Sequence, residues 1–138
     1  MHYKIETAEL THAGAMAMLN AAIEMATRLG QPQCIVIVDA SGEVRAELRM
    51  TGAKFLSRKS ARAKAMTAAS NGLPSADVPE QVGVAIGLAT SGDVTGLPGG
   101  LPIWVDGQLL GGIGVGSGTG EQDIAVAKAA LAVIGADR

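Results

Sequence analysis

Aromatic residues are nearly absent from this chain of 138 residues: they make up 2% of it, as Tyr3, Phe55 and Trp104. So few rings exclude a surface that binds nucleic acid by stacking bases on aromatic side chains. The formal net charge is −2, so no overall positive field attracts nucleic acid either. We therefore expect no nucleic acid partner and a core built from aliphatic residues.

Cysteine and histidine are also scarce, with one cysteine, Cys34, and two histidines, His2 and His12. A lone cysteine cannot form an internal disulfide, and neither a CxxC pair nor a zinc-binding spacing is present. Two histidines near the N-terminus are too few for a histidine metal site, so no metal ligands are predicted. Cys34 opens a predicted core strand, where a cysteine usually behaves as a small hydrophobic residue.

Long hydrophobic runs are missing as well. No apolar stretch has the length of a membrane span, and the first residues lead into an amphipathic segment rather than into a signal peptide. We therefore expect a cytoplasmic protein with no membrane partner. The length and the hydrophobic content of 48% predict a single domain over residues 1–138.

Apolar residues at helical spacing predict helices over 7–29, 56–71 and about 120–134. In the first helix Thr7 is the expected N-cap, Glu9 lies in the first turn, and Gly30 ends it. Residues 79–88 predict a short helix, or the beginning of a strand because Gly83 and Gly87 weaken a helix. A capping-box pattern at Thr119 and Gln122 marks the start of the last helix.

Two hairpins are predicted between these helices. A β-branched run at 34–38 indicates a buried strand, and alternation over 44–50 indicates its half-buried antiparallel partner. Asp106-Gly107 is a strong two-residue turn between strands at 101–105 and 109–115. The predicted order of elements is helix, hairpin, one or two helices, hairpin and helix. This order predicts an α+β domain with an antiparallel sheet and not a doubly wound parallel sheet.

Glycine, by contrast, is abundant and concentrated: the chain has 19 glycines, of which ten lie between Gly96 and Gly120. The spacing fits neither a Walker A loop, which needs a lysine after the last glycine, nor the GxGxxG dinucleotide fingerprint. Two interpretations stay open. The open N–H groups before Glu121 can bind an anion, or the glycines let a helix or a second subunit lie close to a strand.

Charged residues near this glycine block are candidates for chemistry. Glu121 and Asp123 are possible proton-handling carboxylates, although acidic residues in a first helical turn are ordinarily partners of the helix dipole. Lys64 lies among small and apolar residues, where it can anchor a carboxylate or pair with Glu121 or Asp123. The neighbouring basic residues of the same helix form either an anion-binding face or a solvated one: Arg58, Lys59 and Arg62.

Seven short motifs, in this order along the chain, resemble the GlcG/HbpS family, which includes the C-terminal domain of PduO-type proteins. They are VDASG at 38–42, RMTGA at 49–53, RAKAMTA at 62–68, PGGLP at 98–102, VDG at 105–107, GGIGV at 111–115 and EQD at 121–123. Each motif is weak alone, but together they are specific and extend over nearly the whole chain.

The resemblance implies a five-stranded antiparallel sheet between helices, in profilin-like α-β-α layers, and a homo-oligomer of four to eight subunits. Family members are associated with haem binding, with cobalamin-related enzymes as a fused domain, and with catabolic operons. The residues themselves give haem little support, since the chain has few candidate axial ligands and few aromatic rings to enclose a porphyrin.

We therefore expect an oligomeric protein of a bacterial catabolic pathway that binds a small anionic molecule, with catalysis left open. Arg49 or Lys64 would bind the anion beside the backbone of Gly99 and Gly100, and Glu121 or Asp123 would handle protons. Two alternatives remain: a haem or other tetrapyrrole binder, for which haem would be the cofactor, and a non-catalytic accessory module that only oligomerises.

Overall fold

A computed structural model describes residues 2–136 of the chain, and it shows four helices, one short 3-10 turn and four strands. The elements in chain order are α1 (His12–Leu29), β1 (Cys34–Asp39), β2 (Val44–Arg49), α2 (Ser57–Asn71), the 3-10 turn (Ser75–Asp77), α3 (Glu80–Ala89), β3 (Gly100–Val105), β4 (Gln108–Gly116) and α4 (Gly120–Val133). The α+β class and the order of elements are as predicted.

The four strands form one antiparallel sheet in the order β2-β1-β4-β3. The five-stranded sheet that the resemblance implied is therefore wrong for the described residues: the four strands recognised in the sequence account for the whole sheet. Both outer strands carry features that discourage a further partner. Charged Arg45, Glu47 and Arg49 alternate along β2, and β3 contains Pro102.

Helices cover both faces of the sheet, as the layered arrangement predicts. Ile35 and Ile37 of β1 face a core that also contains Met18 of α1 and Leu131 of α4. The alternate residues of β1 face α2, in a second core cluster that contains Cys34, Val36 and Val38. Because side chains alternate across a strand, one continuous β-branched run serves both cores.

Two helix boundaries differ from the prediction. Helix α1 begins at His12, because Thr11 rather than Thr7 is the N-cap: its Oγ1 accepts a hydrogen bond from Gly14 N at 3.0 Å. Glu9 lies before the helix and pairs with Arg45 instead of lying in the first turn. Residues 79–88 do form a helix, α3, although Pro79 lies at the N-cap rather than inside the first turn.

The glycines of β4 explain how α2 is placed. A Cβ added at Gly112 or Gly114 would overlap the backbone carbonyl oxygen of Ala65 or Ala61, so the α2 backbone lies directly on the strand. This contact confirms the packing interpretation for that part of the glycine block, with a helix of the same chain on the strand. It also fixes which side chains of α2 reach the end of β4.

Candidate functional site

A buried ion pair joins α2 to α4 at the end of β4. Lys64 Nζ donates hydrogen bonds to Asp123 Oδ2 at 3.0 Å and to the backbone oxygen of Val115 at 2.8 Å. Lys64 is 5% exposed and Asp123 is 3% exposed. Of the two carboxylates considered for Lys64, Asp123 is thus the one that it contacts.

Burial makes Asp123 a weaker acid than an ordinary aspartate. Burial raises the pKa of Asp123 above its usual range, and the opposing effects of Lys64, of the Gly118 N–H and of Gln33 only partly offset that rise. The Gly118 N–H donates to Asp123 Oδ1 at 3.0 Å. The Asp123 carboxylate is therefore held by Lys64 and by the Gly118 N–H in a buried position.

Gln33 is a neighbour of this pair that the sequence did not single out. Its side chain is fully buried, and neither amide atom makes a hydrogen bond of good geometry within the described residues. The amide lies beneath Gly118, where an added Cβ would approach Gln33 Nε2 at 2.6 Å and Asp123 Oδ1 at 2.8 Å. A single glutamine before a strand carries no pattern, so only the tertiary structure reveals it.

Gly99 covers the ion pair, and Gly100 is the first residue of β3. A Cβ at Gly99 would lie 2.9 Å from Asp123 Cβ and 3.2 Å from Lys64 Cδ, and the residue has a φ of +121°. The Gly100 N–H donates to Ser75 Oγ at 2.9 Å. Their close packing requires glycine at both positions, and the N–H of Gly100 is already used within the fold.

A hollow of about 280 Å³ lies beside the ion pair, and Lys64 and Asp123 form part of its wall. A second hollow, of about 540 Å³, adjoins it and contains Arg49, Phe55 and Leu56. The two share three residues around the first turn of α2: Lys54, Ser57 and Ser60. We call the two hollows together the α2 cleft.

Hydrogen bonds hold the wall of the α2 cleft in place. Ser117 Oγ accepts a bond from the Lys54 N–H at 2.9 Å and donates to Ser57 Oγ at 2.9 Å. Arg49 Nε donates to the Ala53 oxygen at 3.0 Å. The Lys54 side chain, in contrast, makes no hydrogen bond or ion pair to any described residue, and it lines both hollows.

The other candidates from the sequence lie apart from this cleft. Glu121 is exposed in the first turn of α4, where the Thr119–Gln122 capping box forms as predicted, and it lines neither hollow. Cys34 is fully buried, and burial raises the pKa of its thiol, so it is not an activated nucleophile. Arg58 and Arg62 are partly exposed and pair with acidic side chains.

No group of three or more His, Cys, Asp or Glu side chains in residues 2–136 is arranged to hold a metal ion. Nor is any helix in that range long and apolar enough to cross a bilayer. The fold and the site together define a three-layer α+β domain that has a buried lysine–carboxylate pair beside a basic cleft.

Comparison with known proteins places this domain in a family. The model of the family described as haem degrading protein HbpS-like matches residues 10–132, so the chain belongs to the HbpS-like family. It is 36% identical over 122 residues to the corrinoid adenosyltransferase PduO of Salmonella typhimurium. That match covers 85% of this chain but only 36% of PduO, so the chain spans about a third of the length of this curated relative.

Two solved structures show the same fold. The Klebsiella pneumoniae protein ORFY superposes with a TM-score of 0.93 at 27% identity, covering 99% of this chain and 97% of that one. A haem complex of PduOC superposes with a TM-score of 0.85 at 30% identity, covering 91% and 95%. The resemblance drawn from the sequence is thereby confirmed.

Proposed function

We propose that this protein binds a small organic anion in the α2 cleft. The observation that carries the proposal is the convergence of Arg49, Lys54 and Lys64 on the two hollows, whose walls also contain the hydroxyl groups of Ser57, Ser60 and Ser117. The one carboxylate in their lining, Asp123, is already paired with Lys64. Cationic groups together with hydroxyl donors are the groups that hold carboxylates and phosphates.

Lys64 contributes to such a site even though it is paired. An ammonium group has three donors, and Asp123 and the Val115 oxygen take two of them. The third is left for a ligand in the hollow whose wall Lys64 forms. Lys54, whose side chain is unpaired within the described residues, supplies a second charge at the point where the two hollows adjoin.

The size and lining of the cleft favour a ligand with two unlike ends. The smaller hollow carries the lysines and serines, whereas the larger one adds Phe55 and Leu56, which are 63% and 64% exposed. A carboxylate or phosphate end would lie near Lys64, and an apolar end would cover Phe55. Binding sites for small molecules generally combine apolar walls with a few placed polar groups in this way.

Asp123 is the residue that we propose for proton transfer if the bound molecule also reacts. Its raised pKa and its place in the wall of the smaller hollow support this role. Glu121 is exposed and lines neither hollow, so the proposed role falls to Asp123 alone.

Thermal-shift measurements with a panel of small carboxylates and phosphate test the binding proposal. We expect at least one of them to raise the melting temperature of the wild-type protein, and Lys54→Ala to abolish that rise without changing the unliganded melting temperature. The matched control is Lys59→Ala, an exposed lysine of α2 outside the cleft, which should respond as the wild type does. An equal response from Lys54→Ala would refute the site.

Haem binding is a second candidate, because a relative of 30% identity has been solved as a haem complex. On α1, two exposed side chains are of a type that binds haem iron: His12 and Met16, which lie four residues apart on one face of the helix. Neither lines the α2 cleft or the groove between α4 and β3. Bound haem would supply redox-active iron at that surface.

Titration with hemin separates the two candidates. If haem binds through α1, the Soret band of the wild-type mixture shifts and the shift is lost in His12→Ala, while Lys54→Ala behaves as the wild type. A spectrum equal to that of free hemin at every protein concentration would eliminate this second function.

A further inference from the structure

The α2 cleft has one acidic group in its wall, beside its cations. Asp123 is the only carboxyl group among the described residues that line the cleft, and no histidine lines it. The three basic residues of the lining are of types that ordinarily carry their protons already at neutral pH: Arg49, Lys54 and Lys64. A proton that is taken up within the cleft therefore goes to Asp123.

Lys64 lies between Asp123 and the space that a ligand would fill. Its ammonium group donates to Asp123 Oδ2 at 3.0 Å and to the Val115 oxygen at 2.8 Å, and its third donor remains for the ligand. Two oxygens that accept hydrogen bonds from one ammonium group lie roughly 5 Å apart. A bound carboxylate is thus a close neighbour of the Asp123 carboxylate.

These two anionic groups would share one buried positive charge. Lys64 and Asp123 are almost fully buried, whereas Arg49 and Lys54 are exposed, so water screens the effect of the latter two on Asp123. The neighbouring segments present uncharged groups to the carboxylate, namely Gly99, Gly118 and Gln33. When two carboxyl groups share such a site, one of them is held in its protonated form.

Gln33 is placed to serve both forms of Asp123. Its buried amide makes no hydrogen bond of good geometry within the described residues. Gln33 Nε2 and Asp123 Oδ1 lie 2.6 Å and 2.8 Å from the point that a Cβ of Gly118 would occupy, so the two groups are close together. The NH2 end of an amide donates to a carboxylate, whereas its oxygen accepts from a protonated carboxyl group. Turning the amide over lets Gln33 pair with either form.

We propose that the α2 cleft binds an organic anion together with one proton, which Asp123 takes up from solvent, and that Gln33 is the positioning residue for the protonated carboxyl group. The inference rests on the proposed anion binding and adds its regulation by pH. In the complex, Lys64 directs its charge to the ligand, and Asp123 donates to the Gln33 oxygen. Burial already raises the pKa of Asp123, which makes the proton easier to add.

Isothermal titration calorimetry with benzoate and with hexanoate counts the proton. Both probes are carboxylates with an apolar end, and they stay ionised between about pH 6 and pH 8. In buffers of different ionisation enthalpy, the observed binding enthalpy should vary with a slope that corresponds to about one proton taken up per anion bound. By linkage, the dissociation constant should rise by up to about tenfold for each unit by which the pH increases.

Asp123→Asn should abolish the proton uptake and the pH dependence, because asparagine is neutral and cannot accept the proton. Glu121→Gln is the matched control. It removes an exposed carboxylate from the same turn of α4 that lines neither hollow, so it should keep both effects. Circular dichroism checks that each variant is folded.

Gln33→Met tests the positioning role, and it also serves if Asp123→Asn does not fold. Methionine is similar in size to glutamine but has no amide. The variant should weaken benzoate binding several-fold at neutral pH, because the protonated Asp123 loses its acceptor. The melting temperature of the free protein should not fall, since no well-formed hydrogen bond is lost. A residue with only a structural role would lower the melting temperature and leave the affinity unchanged.

The failure of this inference differs from the failure of the proposed anion site. Binding without proton uptake in the wild type, or uptake that persists in folded Asp123→Asn, would overturn the coupling. Equal benzoate affinities of the wild type and Gln33→Met would overturn the role of Gln33. Absence of binding by either probe, together with a flat thermal-shift panel, would refute the anion site itself and the inference with it.

Discussion

At the scale of single residues, the pair formed by Lys64 and Asp123 links stability to the proposed function. Both side chains are buried, so each charge depends on the other and on the backbone groups that surround it. The same two residues form part of the wall of the α2 cleft. Substitutions here change folding as well as binding, which is why Lys54 and not Lys64 is the residue for testing the ligand.

Lys64→Met should lower the free energy of unfolding by about 3–5 kcal/mol, because it leaves the Asp123 carboxylate buried without its cation. Adding Asp123→Leu should recover part of that loss, since the double variant buries no charge. Urea denaturation of the wild type, the two single variants and the double variant measures the effect. A double variant as unstable as the sum of the singles would show that the two side chains are not coupled.

Asp39 makes a contribution to the free energy of unfolding that depends on pH. Burial acts to raise its pKa, but hydrogen bonds from the Ser41 and Glu43 N–H groups and from Arg45 outweigh it and hold the pKa below its usual value. Because the pKa is lowered in the folded state, this stabilisation is fully present when the pH is above the unfolded-state pKa of about 4. It is lost as the pH falls through the folded-state pKa.

Asp39→Asn should therefore cost roughly 1 kcal/mol or less at neutral pH, since the group lies near solvent. The difference from the wild type should shrink as the pH falls below about 4. Denaturation curves of both proteins between neutral and acidic pH measure it. A difference that stays constant with pH would show that ionisation of Asp39 does not contribute to stability.

At the scale of elements, the approach of α2 to β4 decides where the cleft lies. Gly112 and Gly114 let the helix backbone contact the strand, which brings Ser57, Ser60 and Lys64 to the end of β4. The sequence predicted this packing as one of two interpretations of the glycine block. It could not choose between them, because a pattern of glycines does not say which surface covers it.

Gly114→Ala should destabilise the protein by about 3 kcal/mol or more, because the added Cβ overlaps the Ala61 carbonyl oxygen and α2 must move. Gly83→Ala is the matched change at a position where the added Cβ meets nothing within 4 Å, in the middle of α3. It should be neutral or stabilising, since alanine favours a helix. Equal melting temperatures for the two variants would contradict the close packing of α2 on β4.

How well each element could be predicted depends on how local its signal is. Both hairpins and the ends of α1 and α2 were predictable, because β-branched runs, the Asp106-Gly107 turn and the glycines after the helices act within a few residues. The start of α1 was not, since Thr7 and Thr11 are both possible caps and only packing chooses between them. The contacts of Lys64 with Asp123 and of Gln33 with the same carboxylate join residues far apart in sequence, which no local pattern encodes.

At the scale of the whole molecule, the α2 cleft is separate from an apolar groove of about 1090 Å³ between α4 and β3, because the two have no lining residue in common. Helix α3 contributes no residue to the α2 cleft either. Val84→Glu, on the exposed surface of α3, should therefore leave the thermal shift caused by the anion unchanged. Loss of that shift in Val84→Glu would contradict the assignment of the anion to the α2 cleft.

The central claim is that an anion binds beside Lys54, Ser57, Ser60 and Ser117, and amide chemical shifts locate such binding directly. Titration of ¹⁵N-labelled protein with the carboxylate or phosphate that gives the largest thermal shift is the measurement. We predict that the perturbed amides cluster at the first turn of α2 and at residues 117–118, and that Lys54→Ala removes the changes. Perturbations confined to another surface, or none with any anion tested, would contradict the claim.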